Sequence, residues 1–299
     1  MIPKTDPRDS AMIFVKGMAM GICDIIPGVS GGTVALITGI YERLVTAVGN
    51  IRISALMHLA TGRKEEFMRE FQRMDPWFLV SLLAGIGLAA VIMSRIILFF
   101  LEFYSFQTFA FFFGIIVVSS VLIYVQIERA DQVVAGLWLI PGLLAGFFIA
   151  GLDQSTLGHS LPMVFVTGML ALCAMILPGI SGAYITLLMN QYGYLLGALR
   201  AFDLPVIIAF VAGGAAGLLV FSRMLTYLLA SHHSRTLAFL TGLMLGSTRL
   251  LCDMVVSGGG TVMTAFPFAV AGAVLVGGMD VAWRRFGSRR KDQSGNRLE

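Results

Sequence analysis

The chain has 299 residues, of which 57% are hydrophobic and only 13% are charged, and its mean hydropathy is +0.86. Because a soluble domain carries about 25% charged residues, this composition excludes an ordinary soluble protein and predicts an integral membrane protein made of helices. The net charge of +4 comes from basic residues that mostly flank apolar segments, so it indicates membrane orientation and not a nucleic-acid partner. The alternating pattern of a membrane β-barrel is absent.

The first element is an apolar segment over 11–49 that is broken by the polar stretch DIIPGVSGGT, residues 24–33. Each of its two pieces has about sixteen residues and spans ~24 Å as a helix, which is short of a ~30 Å hydrocarbon core. A re-entrant hairpin fits these lengths, with one helix entering, a turn at Pro-Gly-x-Ser-Gly, and a second helix leaving on the same side. The hairpin adds no membrane crossing.

A polar insertion over 50–76 follows the hairpin, and three apolar spans come next, near 78–100, 108–127 and 133–151. Residues 1–151 therefore form one unit, which contains one re-entrant hairpin and three crossings.

This unit recurs later in the chain. Three ordered stretches match, namely 27–41 with 178–192, 84–95 with 212–223, and 141–151 with 267–278. The offset falls from 151 to 128 residues between the first two matches because the second copy lacks the polar insertion. Three crossings separate the copies, so the second copy is predicted to be inverted relative to the first.

The second unit covers 160–283, with a re-entrant segment over 162–199 and spans near 205–229, 236–252 and 262–282; a basic cytoplasmic tail, 284–299, follows. The predicted fold is thus an all-α integral membrane protein with an inverted repeat. Each repeat has one re-entrant helix hairpin and three transmembrane helices.

Lysine and arginine residues orient this fold. They lie in the N-terminus, the insertion, the loops with Arg129 and Arg235, and the C-terminal tail, whereas the loops SFQ, DQSTLGHS and SGGG have none. The positive-inside rule places the basic side and both termini in the cytoplasm. Arg200 and Arg249 are exceptions near the other side, and Arg249 is spaced to pair with Asp253.

Inverted repeats with discontinuous helices at matching places are typical of secondary transporters with a site near the membrane midplane. A helix that begins inside the membrane has unpaired amide hydrogens, which an anion such as phosphate satisfies. The candidate substrate-binding residues in the turns are Asp24, Pro27, Gly28, Ser30, Gly31, Gly32, Thr33, Pro178, Gly179, Ser181 and Gly182. The alternative is that the turns are only kinks, with Ser and Thr bonding to freed carbonyls; the symmetric second copy favours function.

Charged residues in the membrane segments are further candidates, because each is costly in lipid. Arg95 and Arg223 are symmetry partners in Ser-Arg pairs, and they either snorkel to the interface or grip phosphate oxygens bidentately. Asp24 either binds a proton or a cation or pairs with an arginine. Glu42 is a candidate substrate contact as well, although a place at the cytoplasmic rim beside Arg43 is the favoured explanation.

No cofactor and no metal site are predicted. The cysteines have no paired spacing and the histidines no metal-ligand spacing; they are Cys23, Cys173, Cys252, His58, His159, His232 and His233. A membrane enzyme needs a nucleophile with a base, or a metal cluster. No constellation of histidines or carboxylates is found inside the membrane beyond the single Asp24, so the chain is predicted not to be an enzyme.

The run GICDIIPGVSGGTVALITGIYERL and the later ILPGISGAYITLLMNQY resemble the membrane family known as domain of unknown function 368. The resemblance covers nearly the whole chain. Tyr184 and Asn190 depart from it, at positions where small or apolar residues are expected. The resemblance implies translocation of undecaprenyl phosphate, a polyprenyl carrier lipid, from the outer to the inner leaflet of the bacterial cytoplasmic membrane for cell-envelope polymer synthesis.

The expected partners are therefore the bilayer and a polyprenyl phosphate lipid, with a proton or sodium ion as candidate coupling ion and a homo-oligomer left open. A transporter or channel for a small soluble anion is the main alternative, because the same helix ends suit that ligand.

Overall fold

The computed structural model of the chain describes residues 7–24, 30–51, 54, 57–58, 61, 63–128, 131–152 and 158–295. Thirteen helices have their bounds within these residues: α1 Pro7–Asp24, α2 Gly31–Ile37, α3 Tyr41–Gly49, α4 Lys64–Arg73, α5 Pro76–Phe103, α6 Ser105–Val125, α7 Gln132–Ala150, α8 Leu161–Ile176, α9 Gly182–Leu188, α10 Tyr192–Ala201, α11 Leu204–Ser231, α12 His233–Ser257 and α13 Val262–Gly295. The described part of the chain contains no strand.

Four helices in the described residues, α6, α7, α11 and α12, are long and apolar enough to cross a membrane. Shorter apolar stretches lie in α5, α8 and α13. Large apolar side chains face outward, among them Val133, which is 82% exposed, and Val262, which is 89% exposed. Such a surface suits lipid and not water, so the prediction of an integral membrane protein made of helices is confirmed.

The helix α12 lies at the core of the bundle. It packs against both α6 and α7, while α6 also packs against α13. Its Leu240, Met244 and Leu251 are almost completely buried. The remaining long helices form two further pairs, α1 with α5 and α8 with α11.

Several helices of the two halves correspond in order and in length. α2 and α9 have seven residues each, and α5 and α11 have 28 residues each. The Leu82 carbonyl lies against Gly17, and the Phe210 carbonyl lies against Gly168. The two glycines are 151 residues apart in the sequence, and the two carbonyl residues are 128 residues apart. A side chain at either glycine would collide with the partner backbone, so both helix pairs pack equally closely.

The residues that follow the polar turn in each broken segment differ from the predicted single helix of about sixteen residues. They form two short helices in both halves, α2 and α3 in the first and α9 and α10 in the second. Gly39 separates the first two with φ +70°, and Asn190 separates the others with φ +57°. Glycine adopts this left-handed conformation freely and asparagine tolerates it, so the helix is interrupted at equivalent places. The prediction of one helix after each turn is therefore wrong.

Ion pairs gather at one end of the bundle, which we call the polar end. Glu42 in α3 pairs with His233 at the start of α12, with 2.7 Å between Oε1 and Nε2. Beside it, Arg43 pairs with Asp75 at 2.6 Å. The Glu42–His233 pair links the first half of the chain to the second. All four residues belong to the side that the charge pattern assigns to the cytoplasm.

The basic tail predicted over 284–299 begins inside a helix. The helix α13 continues from its apolar stretch as far as Gly295. Residues 296–299 lie outside the described residues.

Candidate functional site

The two polar turns of the sequence are in direct contact. The Thr33 hydroxyl oxygen accepts a hydrogen bond from the backbone N–H of Gly179 at 3.0 Å. The Ser30 hydroxyl donates to the backbone carbonyl of Leu177, also at 3.0 Å. Ser30 and Thr33 are each only 1% exposed. Side chains of the first turn therefore satisfy backbone groups of the second, and the structure brings Ser30, Thr33 and Gly179 together.

Helix capping explains the place of Ser30. Ser30 is the N-cap of α2, with extended backbone angles, and its hydroxyl oxygen accepts the Gly32 N–H at 3.1 Å. A serine at this position satisfies one of the otherwise unpaired amide hydrogens of the first helical turn. Gly32 packs closely on the other turn, since a Cβ there would lie 2.6 Å from the carbonyl oxygen of Ile176. The first turn thus combines a helix cap with a close contact.

Two charged residues of α1 bracket the short helix α2. At its N-terminus, the Asp24 carboxylate accepts the Gly31 N–H at 2.7 Å. At its C-terminal end, the Lys16 ammonium donates to the Thr38 carbonyl at 2.8 Å. Negative charge at the start of a helix and positive charge at its end both stabilise the helix dipole. The Asp24 side chain therefore occupies the helix end at which the sequence predicts an anionic ligand.

The second turn has no equivalent charges. Met175 stands where the first half has Asp24, and Thr167 stands where it has Lys16. Ser181 is the N-cap residue of α9 by position and backbone angles, but its side chain makes no capping hydrogen bond. Gly182 still requires close packing, because a Cβ there would lie 2.7 Å from the Ala171 carbonyl oxygen. The described residues of the two turns therefore differ in electrostatics.

A small cavity adjoins the second turn. Its volume is about 10 Å³, which is room for about one water molecule. Polar groups in its lining come from Ser181, Tyr184 and Ser247, and α7 supplies Gly146, Ile149 and Ala150. The Tyr184 hydroxyl lies 3.2 Å from the Ala150 carbonyl oxygen, to which it donates. The described structure therefore has a small, mainly apolar space with three polar side chains in its lining, where the second turn meets α7 and α12.

Gly179 fixes the backbone of the second turn. Its φ is +87°, and a Cβ there would lie 2.7 Å from the Met244 Cα and 2.8 Å from the Ser247 hydroxyl oxygen. Both the backbone conformation and the close approach of α12 therefore require glycine. Pro178, beside it, is buried.

Two predicted site residues make other contacts. Glu42 is the partner of His233 at the polar end. The Arg223 guanidinium donates to the backbone carbonyls of Gly49 at 3.2 Å and Ile51 at 2.9 Å. Glu42 thus lies in α3 and Arg223 lies at its C-terminal end, and neither contacts the described residues of the turns.

Three further predicted residues fall outside the description. Pro27, Gly28 and the side chain of Arg95 lie outside the described residues, although the backbone of residue 95 belongs to α5. The predicted pairing of Arg249 with Asp253 is present, at 3.9 Å between Nε and Oδ2.

Sequence reasoning missed Lys16, Tyr184 and Ser247 as parts of this region. A signal for Lys16 exists, because it is a lysine within an apolar run, and such charges are costly in lipid. Tyr184 stands out only as a departure from the family pattern. Ser247 gives no signal, because its proximity to the second turn depends on how α12 packs.

A bundle of apolar helices around two buried polar turns defines a multi-pass helical membrane protein. Comparison with known proteins gives its family: the chain belongs to the undecaprenyl phosphate translocase-like family, whose model matches residues 20–256. It is 39% identical to the polyprenyl-phosphate transporter of Vibrio cholerae over 234 residues, which cover 78% of this chain and 75% of that protein. It is 31% identical to the polyprenyl-phosphate transporter of Staphylococcus aureus over 251 residues, covering 78% of this chain and 83% of the relative. No solved structure matches the chain significantly.

Proposed function

We propose that this chain moves undecaprenyl phosphate across the bacterial cytoplasmic membrane and returns it from the outer to the inner leaflet for synthesis of cell-envelope polymers. The family description and the names of both relatives support a polyprenyl phosphate as the substrate. Those names also support transport as the activity, and not catalysis. The basic side of the chain is the cytoplasmic side in this proposal.

The observation that carries the proposal is the contact between the two turns. Buried polar side chains inside an apolar bundle are costly unless they have partners, and in membranes they mark substrate pathways. Here Ser30 and Thr33 reach across to Leu177 and Gly179 of the other half. A headgroup that enters between the halves would exchange these hydrogen bonds for its own oxygens.

The phosphate enters this contact from the side of the second turn. The first turn already has the Asp24 carboxylate on Gly31, which disfavours a second anion at that point. The second turn has Ser181 without a capping hydrogen bond, in the lining of the small cavity. We therefore assign the phosphate oxygens to the neighbourhood of Ser181 and Gly182, with Pro178 and Gly179 shaping the turn. The isoprenoid tail remains in lipid against the outer apolar faces.

The movement itself is a relative motion of two inverted repeats. The corresponding helix order and glycine contacts support two similar bodies, each with one re-entrant hairpin and three crossings. The Glu42–His233 pair joins the halves at the polar end, so this pair has to separate when the site opens toward that end. In this conformation the turns are in contact, and the cavity beside the second turn has room for about one water molecule.

Transport in liposomes tests the proposal. The purified full-length chain is reconstituted, the leaflet exposure of undecaprenyl phosphate is followed over time, and inorganic phosphate uptake is measured in parallel. Thr33→Val removes the acceptor for the Gly179 N–H while keeping the side-chain shape. Thr167→Val is the matched control, because Thr167 is equally buried but bonds only to Met163 within its own helix.

The expected result is lipid movement by the wild type and by Thr167→Val, with a strong loss in Thr33→Val that keeps its melting temperature within a few degrees. Absence of lipid movement in the wild type, with uptake of inorganic phosphate, would replace this substrate with a small soluble anion. Full activity of both Thr33→Val and Ser181→Ala would remove the turns from the pathway.

A further inference from the structure

A second, larger cavity lies away from the two turns. Its volume is about 430 Å³, and the described residues that line it are Gly49, Asn50, Arg223 and Thr226. It is found where the C-terminal end of α3 meets α11. Asn50 donates from its side-chain amide to the Arg73 carbonyl at 3.0 Å, two residues before Asp75 of the polar end. The cavity therefore belongs to the polar end of the bundle.

The Arg223 guanidinium is held in place but not neutralised. Its Nε and Nη2 atoms donate to the carbonyls of Gly49 and Ile51, which follow the end of α3. Carbonyls at the end of a helix lack intrahelical donors, so these two bonds fix the guanidinium plane. Among the described residues no carboxylate lies within ion-pair distance of Arg223, and its Nη1 has no hydrogen-bond partner. A fixed guanidinium with a free edge suits bidentate binding of an oxyanion.

The other polar groups complement the arginine. Asn50 has two amide hydrogens, of which Arg73 takes one, so the other remains for a ligand. Thr226 also lines the cavity, and its hydroxyl oxygen, which donates to the Ser222 carbonyl at 2.8 Å, retains the capacity to accept a hydrogen bond. A phosphate group has oxygens that accept from Arg223 and Asn50, and in its singly protonated form it has an O–H that donates to Thr226.

We propose that this cavity is a second binding site for a phosphate group, separate from the turns. One part of this proposal rests on the proposed function: the cavity receives the headgroup of the transported lipid at the polar end, after the headgroup has left the turns. The same chemistry suits free inorganic phosphate. Arg223 then serves at the exit of the pathway and not beside Ser30 and Ser181.

Protection of a thiol measures occupancy of the cavity. Full-length chains with Cys23, Cys173 and Cys252 replaced by alanine receive one cysteine, either Thr226→Cys in the cavity or Ser231→Cys. Ser231 is the exposed last residue of α11, outside the cavity, and serves as the control. Modification by a water-soluble maleimide is timed with no ligand, with inorganic phosphate, with farnesyl phosphate, and with farnesol.

Inorganic phosphate and farnesyl phosphate should slow the modification of Thr226→Cys, and farnesol should not. Ser231→Cys should react at the same rate under all four conditions. Adding Arg223→Gln should raise the phosphate concentration needed for protection about tenfold or more, because it removes a charged hydrogen-bond donor. Asn50→Ala should raise it less, and it provides a second reading if Arg223→Gln lowers the melting temperature.

Each outcome decides the proposal. Protection by both phosphate ligands assigns the cavity to the lipid headgroup, and protection by inorganic phosphate alone assigns it to free phosphate. Equal protection by farnesol, or no protection in a protein that still moves lipid, would overturn the site and leave the proposed function standing. Protection that persists in a protein that moves no lipid would keep the site and overturn the proposed function.

Discussion

The two polar turns each end at a serine with extended backbone angles, and they differ in chemistry. In the first turn, Ser30 caps α2 and Asp24 occupies its first amide hydrogen. In the second turn, Ser181 makes no capping bond and Met175 stands in place of the aspartate. The described helix end of the first turn is capped from within the chain, and the second turn adjoins a small cavity. The comparison is the basis for proposing the second turn as the half that receives a ligand.

The largest effect is expected at Gly179. Gly179→Ala places a Cβ in a left-handed backbone position and against the backbone of Met244, so it should lower the free energy of unfolding by about 2–5 kcal/mol. Gly39→Ala is the matched control, because Gly39 also has a positive φ but has open space around it. It should cost only about 1 kcal/mol. Unfolding in mixed micelles measures both, and equal costs would show that α12 does not press on the second turn.

The paired serines should separate stability from transport. Ser30→Ala removes an N-cap and the donor to the Leu177 carbonyl, so it should cost about 2 kcal/mol of unfolding free energy. Ser181→Ala should cost less than about 0.5 kcal/mol, because Ser181 has no capping bond to lose. Its transport rate should nevertheless fall strongly in the liposome assay. A Ser181→Ala variant that is as destabilised as Ser30→Ala would contradict the difference between the turns.

The charges around α2 should contribute a smaller amount. Asp24→Asn weakens the bond to Gly31 and the favourable interaction with the helix dipole, at a cost of about 1 kcal/mol. Met175→Leu, the equivalent change in the second half, removes no polar contact and should stay within about 0.5 kcal/mol of the wild type. Thermal unfolding of both variants checks this. Equal melting temperatures would mean that Asp24 does not stabilise the first turn.

The smallest effect is expected from exchanging the residues that interrupt the returning helices. Gly39→Asn installs the residue type of the second half at a φ of +70°, so its unfolding free energy should change by less than about 1 kcal/mol. Gly39→Val should cost about 1–2 kcal/mol, because a β-branched side chain tolerates this conformation poorly. If both variants unfold alike, the left-handed conformation at residue 39 does not separate α2 from α3.

Much of the fold follows from hydropathy, because apolar length and chain turns are local properties. The helices α6 and α7 cover the spans predicted near 108–127 and 133–151, and Gly17 and Gly168 are separated by the 151 residues of the first repeat match. The interruption at Asn190 was harder to anticipate, since an asparagine in an apolar segment resembles a polar anchor until its backbone angle is known. The turns could be identified as candidates from the sequence because polar residues are conspicuous among apolar ones.

The partners of those residues depend on packing that the sequence does not encode locally. Thr33 bonds to Gly179 across 146 residues, and Arg223 bonds to Gly49 across 174. The sequence groups Arg223 with the turns because both are polar and within apolar segments. In the structure it lies instead at the end of α3, where unpaired carbonyls provide a stronger local attraction for a guanidinium.

The charges on α1 also affect how the protein enters the bilayer during synthesis. Lys16 and Asp24 are on the same helix, and a lone charge near the centre of an inserting helix costs about 2.5–3.5 kcal/mol. Each charge has its partner on α2, at Thr38 and Gly31. The first apolar segment is therefore a poor substrate for insertion alone and a better one once α2 has folded back onto it. Both charges of α1 therefore depend on the fold of α2 against α1 for their partners.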